Sequence, residues 1–595
     1  MTDPTRLPAD PGNVAAGDPA DDMAAAAALA KAALATLAAE AWESHMAAHP
    51  VWATALGDRR FDDRLRDNEP GALARDEARL GGFLERAAAI ERDVLSPADR
   101  VTHAALIDFL RSEHDLAVSG MDAWSVDPLD GPQVTYLNVP SFQPIRTAAE
   151  ADALLARWQA IGPWIDRLTG TTRDALARGI GAPHALVRSV VAELDDLLAR
   201  PTEEWPLVDP AREDDTPDAP AGWATGRRAA WAEQVRRAVA DGIRPAFERY
   251  RAFLVEELAP VARDDDRPGL SHVPGGADAY GRLIRAHTTL DLAPDAIHRI
   301  GLEETERIDE EFRELGGRLL GTSDRAEVLE RLRSDPALHF ATPAEVFDVA
   351  EASLARANAA IPDWFGRLPT TPCVVVEMAA HEAKHSTIAY YREPAADGSR
   401  PGSYYINTTE PATRPRYEAE TLAFHEAVPG HHLQIALSQE LAGIPAFRRF
   451  HGPTAFVEGW GLYSERLAVE MGLLSGDMDR FGVASFDAWR ACRLVVDTGL
   501  HALGWSRDRA IRFMLEHTAL AENNVTNEVD RYLAMPGQAL AYKLGQREFL
   551  RLRDEARAAL GSRFDIRAFH DAALGEGAVG LSTLGGIVEA WVRTI

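Results

Sequence analysis

The sequence predicts a mainly α-helical protein with one small β-sheet. Along most of the 595 residues, apolar side chains recur at helical spacing, and alanine, leucine, arginine and glutamate fill the positions between them. Segments 297–320 and 344–360 show this pattern clearly. The convincing strand region is 371–407, where the runs 373–377 and 403–407, rich in valine and tyrosine, flank turn-forming residues.

The order of segments along the chain predicts a tail and two subdomains. Residues 1–22 are rich in proline, aspartate and alanine, which predicts a disordered N-terminal tail. Loops at 201–226 and 264–276 collect proline, aspartate and glycine. They predict an N-terminal helical subdomain over 23–262 and a second helical subdomain over 263–595, which contains the sheet.

Composition indicates which partners the protein is not expected to bind and in which compartment we expect it. The chain has 92 acidic and 63 basic residues, a net charge of −29, which disfavours binding to nucleic acid or to anionic membranes. The alanine-rich run 23–41 is interrupted by Lys31 and predicts a soluble helix rather than a membrane span. Two cysteines, Cys373 and Cys492, cannot build a disulfide framework, and no signal peptide is visible, so we expect a cytoplasmic protein.

Two histidine-containing segments are candidates for a metal site. The literal pattern His-Glu-x-x-His occurs at 381–385 and would place His381 and His385 on one helix face. Its neighbours, however, are β-favouring residues on one side and a proline soon afterwards on the other. A helix of two turns there would hold a metal poorly, so we interpret this segment as structural.

The second segment, His-Glu-Ala-Val-Pro-Gly-His-His at 425–432, lies within helical sequence. On an ideal helix His425 and His431 point about 240° apart, so they can share a metal only if the helix breaks between them. Pro429 and Gly430 supply that break. His432 is the alternative ligand, but it lies about 10.5 Å along an unbroken helix; as a non-ligand, it would support the site or face substrate.

The remaining ligand and the general base follow from the same chemistry. A catalytic zinc usually has three protein ligands, and Glu458 offers the third. Glu465, seven residues further on, would share its helix face and could orient a histidine ligand or a water molecule. Glu426, beside the first histidine, could take a proton from water and pass it to a leaving amine.

Other polar side chains could line the same cleft. Arg490, Arg493, Asp497 and His501 recur at three- and four-residue steps, with Asp497 placed to orient His501, although a solvated charged face would have the same spacing. Either His501 or Tyr542 could donate a hydrogen bond to a developing oxyanion.

Candidates for substrate binding are spread over three segments. Arg493 is one, and Gln538 and Lys543 flank Tyr542. Lys543 could face a substrate carboxylate, unless it is an ordinary surface lysine. Tyr405 and Asn407, on the strand before the metal segment, could align an extended peptide through the main chain of an exposed edge.

Motifs over most of the chain resemble one family, the bacterial proteins of the domain of unknown function 885 (DUF885). Its hallmark is His-Glu-Ala-x-Pro-Gly-His-His on a helix, which 425–432 matches. The resemblance also includes four further segments: 48–58, 397–402, 495–501 and 536–545. It implies a large gluzincin-like helical metallopeptidase fold, one Zn²⁺ per chain on His425, His431 and Glu458, and Glu426 as the base. The segment 381–385 is not part of the hallmark.

The sequence therefore predicts a zinc-dependent hydrolase, most plausibly a peptidase acting on short peptides. Two alternatives are hydrolysis of a non-peptide amide or ester at the same metal, and a non-catalytic peptide-binding protein. Glu426 argues against the second, because pure binding needs no general base. We expect no nucleic-acid or membrane partner; the oligomeric state is left open, a homodimer included.

Overall fold

The computed structural model describes residues 19–121, 126–212, 223, 226–378, 387–395, 398 and 400–595. These residues form α-helices joined by short turns and 3₁₀ segments, together with one small sheet. The first thirteen helices are α1 (Pro19–Ala48), α2 (Pro50–Leu56), α3 (Ala72–Ala88), α4 (Pro97–Val118), α5 (Pro132–Asn138), α6 (Ala148–Ala177), α7 (His184–Ala199), α8 (Arg227–Arg237), α9 (Arg244–Phe253), α10 (Gly276–Thr288), α11 (Pro294–Leu319), α12 (Arg325–Ser334) and α13 (Pro343–Ala360).

The helices after the sheet carry the candidate site. They are α14 (Arg416–Glu426), α15 (His431–Glu440), α16 (Ala446–Phe450), α17 (Thr454–Glu470), α18 (Arg480–His501), α19 (Arg507–His517), α20 (Glu522–Ala534), α21 (Ala541–Leu560), α22 (Ile566–Leu574) and α23 (Leu581–Thr594). The prediction of a mainly helical protein is confirmed. The segments 297–320 and 344–360 correspond to α11 and α13.

Local sequence explains where several helices begin. Thr147 precedes α6 and forms a reciprocal capping box with Glu150, so two backbone N–H groups of the first turn gain acceptors. Thr342 accepts from the N–H of Glu345 in the same way before α13. These starts follow from side chains that are visible in the sequence.

Helix α1 begins earlier than the predicted end of the tail. Residues 19–22 belong to it, whereas 1–18 lie outside the described residues. By length and composition alone, Asp21–Ala48 is apolar enough to cross a membrane. One face nevertheless packs into the protein core through Leu34, Leu37 and Trp42.

Two hydrophobic cores account for most of the buried apolar side chains. The larger core joins apolar residues of α1, α3 and α4 to those of α13–α17 and α21–α23. The second lies within residues 126–258, from α5 to the helical turns after α9. Helices α1–α4 thus bury their apolar faces against the half of the chain that carries the site. The predicted boundary at 262/263 stays a prediction.

The sheet has three strands: β1 (Cys373–Glu377), β2 (Ala389–Arg392) and β3 (Gly402–Ile406). Their order is β1-β3-β2, with β3 parallel to β1 and antiparallel to β2. The small sheet was predicted, but β2 was not identified as a strand. Because β3 is central, its main chain is paired on both sides.

Two close helix contacts position the site. Helix α18 is buried along nearly its whole length and packs against α11, where a Cβ on Gly301 would lie 2.7 Å from the Val495 side chain. Helices α17 and α21 cross where a Cβ on Gly459 would lie 2.5 Å from the Cα of Gly545. Glycine at these positions therefore permits backbones to approach more closely than any other residue would.

Candidate metal centre

The segment 427–430 separates α14 from α15 and turns the chain between the two histidines. Ala427 leaves helical geometry with φ −105° and ψ −104°, and the Val428–Pro429 peptide bond is cis. A Cβ on Gly430 would lie 1.9 Å from the carbonyl oxygen of His425, so only glycine fits there. The predicted break is present, and it separates two helices rather than forming a bulge within one.

This break brings His425 and His431 together beside Glu458 of α17. Nε2 of His425 lies 3.6 Å from Oε2 of Glu458, and Nε2 of His431 lies 3.4 Å from the same oxygen. The two imidazole centroids are 4.6 Å apart and the rings nearly perpendicular. Two ligand atoms on a tetrahedral zinc, each about 2.0–2.1 Å from the ion, lie roughly 3.3 Å apart. The three side chains therefore fit a zinc ion.

Glu465 supports the first histidine, as its spacing predicted. Its Oε1 lies 2.7 Å from Nδ1 of His425, and both side chains are buried. Burial would lower the pKa of His425, but the hydrogen bonds to Glu458 and Glu465 outweigh it and raise that pKa to about 9. Gly461 leaves room for the ring, because a Cβ there would lie 2.8 Å from Cε1 of His425.

His432 is not placed as a ligand. Its Nδ1 lies 3.0 Å from the hydroxyl of Tyr391, and its Nε2 lies 3.0 Å from the carbonyl oxygen of Thr371. Burial lowers its pKa to about 4, so the ring is neutral at physiological pH. His432 therefore connects α15 to the sheet. The second imidazole of the group with His425 and Glu458 is that of His431.

Glu426 ends α14 directly after His425 and is half-buried. No hydrogen bond or ion pair joins its carboxylate to another described residue. Tyr404 lies close to it: burial, and then the charge of Glu426, raise the pKa of Tyr404 well above its usual range. The Tyr404 hydroxyl is buried without a hydrogen-bond partner among the described residues. Tyr404 thus belongs to the site.

Tyr542 lies at the start of α21, across from Glu458. Burial raises its pKa first, and the charge of Glu458 raises it further, so the phenol stays protonated at neutral pH. Gln538 hydrogen-bonds to Tyr542 and accepts from Arg531. The predicted residues Tyr542 and Gln538 are therefore brought to the same wall of the site.

Two arginines of α18 stack against this wall. The guanidinium carbon of Arg493 lies 4.4 Å from the Tyr542 ring centroid, and that of Arg490 lies 5.9 Å from it. Arg493 is paired with Glu528 at 2.9 Å. Arg490 is 5% exposed, and its Nε and Nη1 have no hydrogen-bond partner among the described residues. Arg490 is thus a buried cation to which no carboxylate of the described residues is bonded.

The predicted roles of His501 and Asp497 are corrected. His501 accepts from the N–H of Leu270 through Nδ1 and donates to the carbonyl of Tyr532 through Nε2. Both ring nitrogens are therefore occupied by backbone groups, and no atom is left to meet an oxyanion. Asp497 accepts from Tyr280 and from the N–H of Gly537 instead of orienting His501.

Lys543 does not face a substrate. Its Nζ lies 2.5 Å from Oδ1 of Asp487 and 3.2 Å from Oε2 of Glu304, within a buried ion network that also includes Arg466. Three oxygens surround this ammonium, those of Asp487, Glu304 and Gln546, and they occupy its three N–H donors. The prediction of a substrate-facing lysine is therefore wrong.

The strand residues also differ from prediction. Tyr405 stacks on Tyr390 at 4.8 Å, and its strand β3 is paired on both sides, so β3 offers no free edge to a peptide. Asn407 is buried, and its Nδ2 donates to the carbonyl of Thr387. Successive strand residues point to opposite faces, so Tyr404 and not Tyr405 points toward Glu426.

Two further histidine pairs of interest lie outside 425–432: His381 with His385, and His45 with His49. His381 and His385 lie outside the described residues. Sequence reasoning did not single out His45 and His49, whose ring nitrogens converge with a carboxylate oxygen of Glu113 within 4.8 Å. The spacing of four residues between these histidines was the available signal, since a helical sequence with that spacing predicts neighbouring side chains.

Comparisons with known proteins support the fold. The family model DUF885, described as a bacterial protein of unknown function, matches residues 50–588. A solved structure from Colwellia psychrerythraea, described as a candidate lipoprotein, is similar with 28% identity and a TM-score of 0.87, over 95% of this chain and 100% of that one. Another candidate lipoprotein, of unknown function from Shewanella oneidensis, has 16% identity and a TM-score of 0.71, over 93% and 99%. No curated protein matches.

Proposed function

The chain belongs to the DUF885 family of bacterial proteins, whose description assigns no activity, and we propose from its site that it is a zinc-dependent hydrolase that cleaves short peptides. The observation that carries the proposal is the convergence of His425, His431 and Glu458, with Glu426 next to the first histidine. Two imidazoles and a carboxylate form a donor set typical of catalytic zinc, which leaves a coordination position open. This arrangement agrees with a gluzincin-like ligand set.

When bound, zinc would supply Lewis acidity toward the substrate carbonyl. Glu426 would take the proton of the attacking water and deliver it to the leaving nitrogen, because its carboxylate is not engaged by other described residues. Glu465 would hold the His425 ring in one tautomer, with the Nδ1 proton on the carboxylate side.

Tyr542 is the proposed donor to the oxyanion. Its phenol is protonated at neutral pH and lies on the wall across from Glu458, within reach of that carboxylate's charge. A donor fixed before the reaction stabilises the charge that develops on the substrate oxygen. Tyr404, near Glu426, is a second hydroxyl in the same region.

The substrate class follows from the cations around Tyr542. Arg490 has no bonded carboxylate in the described structure, and arginine is well shaped to bind a carboxylate through two parallel hydrogen bonds. A peptide with a free C-terminal carboxylate would supply that partner. We therefore favour short peptides over internal segments of folded proteins. The cytoplasmic location and the absence of nucleic-acid and membrane partners stay predictions.

The decisive experiment measures zinc content and cleavage of a short-peptide library for the wild type and for Glu426→Gln. We expect cleavage by the wild type and a loss of at least about 10³-fold in the variant, with zinc retained. Glu418→Gln, on the same helix, is the matched control: burial raises the pKa of Glu418 to about 7, so glutamine resembles its neutral form. A wild type that lacks zinc and cleaves nothing contradicts the proposal. Cleavage of esters alone would favour the non-peptide alternative.

A further inference from the structure

A second group of metal-ligating atoms lies among α1, α2 and α4. Nδ1 of His45 lies 3.0 Å from Oε2 of Glu113, and Nε2 of His49 lies 3.3 Å from the same oxygen. We propose that these three side chains bind a second divalent transition-metal ion, with zinc favoured by the donor set. The proposal adds an ion to the single one expected from the sequence and does not depend on the hydrolase function.

The arrangement repeats the pattern of the first site. In both groups, one nitrogen from each of two imidazoles meets a single carboxylate oxygen. Two nitrogens and one oxygen suit zinc or a neighbouring transition metal better than magnesium or calcium, which prefer oxygen ligands. Three protein ligands leave a coordination position open.

Local structure holds both histidines in place. His49 lies between α1 and α2, where its N–H donates to the carbonyl of His45 at 3.0 Å, and the two imidazole centroids are 4.4 Å apart. The His45 ring stacks on Trp42 at 5.7 Å, and Trp52 and Phe109 meet it edge-on at 5.3 Å and 5.2 Å. Packing therefore fixes this imidazole before any ion binds, which lowers the entropic cost of binding.

The charge balance also favours a cation. The Glu113 side chain is 15% exposed, and its ion-pair partners among the described residues are His45 and His49, without an arginine or lysine. A carboxylate removed from water is costly unless a cation or hydrogen-bond donors pair with it. A divalent ion between the three groups would supply it.

A cavity of about 550 Å³ gives access to the group. Its wall includes His45, His49, Gln434, Arg449 and His451. His451 is a partly buried imidazole whose ring centroid lies 5.8 Å from that of His45. Water or a small ligand in the cavity could therefore complete the coordination of the ion.

The test is the metal content of the full chain after zinc loading and dialysis, measured by elemental mass spectrometry. We expect two zinc ions in the wild type, one in Glu113→Gln, one in Glu458→Gln and none in the double variant. His114→Ala, which removes a histidine adjacent to Glu113, is the matched control and is expected to keep two ions. Circular dichroism establishes that each variant is folded.

Cobalt substitution provides a measurement that does not depend on the Glu113 variant folding. In Glu458→Gln, we expect one equivalent of Co²⁺ with the visible absorption of a four- or five-coordinate ion bound to nitrogen and oxygen. The second site is overturned if the wild type binds a single ion and Glu458→Gln binds none, with no Co²⁺ absorption left in that variant. If Glu113→Gln lowers the stoichiometry and Glu458→Gln does not, the second site stands and the proposed hydrolase site fails.

Discussion

Oε1 of Glu465 lies 2.7 Å from Nδ1 of His425, so the opposite nitrogen of that imidazole is directed toward Glu458. The carboxylates of Glu458 and Glu465 lie on one helix, seven residues apart, and each is close to a different nitrogen of the same ring. The side chain of Glu465 is 1% exposed, so water does not compete for the contact. The orientation of the His425 ring is thus fixed by the protein.

Replacing Glu465 by glutamine should weaken zinc binding at the first site. The amide cannot accept as strongly from Nδ1, and loss of such a contact typically costs 10- to 100-fold in metal affinity, a range of about 1.4–2.7 kcal/mol. Competition with a calibrated chelator measures the change. Glu470→Gln, at the exposed end of the same helix, serves as the control. Equal zinc affinity in Glu465→Gln and the wild type would mean that this contact is not part of a metal site.

Gly461→Ala should displace the His425 ring. The added methyl group would lie 2.8 Å from Cε1 of His425 in a buried, closely packed region. We expect zinc affinity to fall at least about tenfold and the free energy of unfolding to fall by about 1–3 kcal/mol. Gly586→Ala is the control, because nothing lies within 4 Å of its added methyl and helix propensity should make it neutral or stabilising. An unchanged zinc affinity in Gly461→Ala would contradict the geometry.

Tyr542→Phe should lower kcat by about 10²-fold with little change in KM, because the lost hydroxyl acts on the oxyanion rather than on bound substrate. Steady-state kinetics on the best library peptide provides the measurement. Tyr463→Phe is the control, since that hydroxyl bonds to His570 away from the metal ligands. A KM effect without a kcat effect would assign Tyr542 to substrate binding instead.

Arg490→Met and Lys543→Met should have opposite consequences. Arg490→Met should lower the preference for a free C-terminal carboxylate over the matching amide about 100-fold. Stability should stay equal or rise, because a buried charge that has no carboxylate partner among the described residues is removed. Lys543→Met should leave that preference unchanged but cost on the order of 3 kcal/mol, because Asp487 and Glu304 lose a buried partner. Acid and amide peptide pairs and urea unfolding separate the two effects. A large loss of stability in Arg490→Met would make Arg490 structural.

Acid should destabilise the protein partly through His570. Its ring donates to the carbonyl of Trp364 and accepts from Tyr463, and burial lowers its pKa to about 4 from an ordinary value of 6.5. The unfolded chain therefore binds more protons between pH 6.5 and 4, so stability falls as pH falls through this window, by about 3 kcal/mol for this group.

The measurement for His570 compares urea unfolding at pH 7.5 and 4.5 for the wild type and for His570→Gln. The variant should be less stable at pH 7.5 but lose about 3 kcal/mol less on acidification, because its amide does not titrate in this range. Parallel pH dependences in the two proteins would show that the pKa of His570 is the same in the folded and unfolded states, which contradicts the prediction.

The sequence predicted the helical architecture and the proximity of His425, His431 and Glu458 for identifiable reasons. Helical periodicity does not depend on distant parts of the chain, and α11 and α13 follow it closely. The pair His425 and His431 could be inferred because Pro429 interrupts a helix and Gly430 tolerates unusual backbone angles whatever surrounds them.

The errors concern side chains whose partners are distant in sequence. Lys543 bonds to Asp487 and Glu304, and His501 bonds to the backbone of Leu270 and Tyr532. Spacing along one helix identifies which residues share a face but not what packs against that face. The choice of Tyr405 over Tyr404 failed similarly, because the direction of a strand's faces depends on its neighbours in the sheet.

The crossing of α17 and α21 couples two parts of the proposed chemistry. Glu458 precedes Gly459, Tyr542 lies three residues before Gly545, and these two glycines meet with no room for a side chain. The separation between the carboxylate ligand and the phenol is therefore set by backbone contact. A change of substrate size within this architecture would therefore require changes in α18 or in the loops around the site. The contact between α17 and α21 would keep the distance between Glu458 and Tyr542 constant.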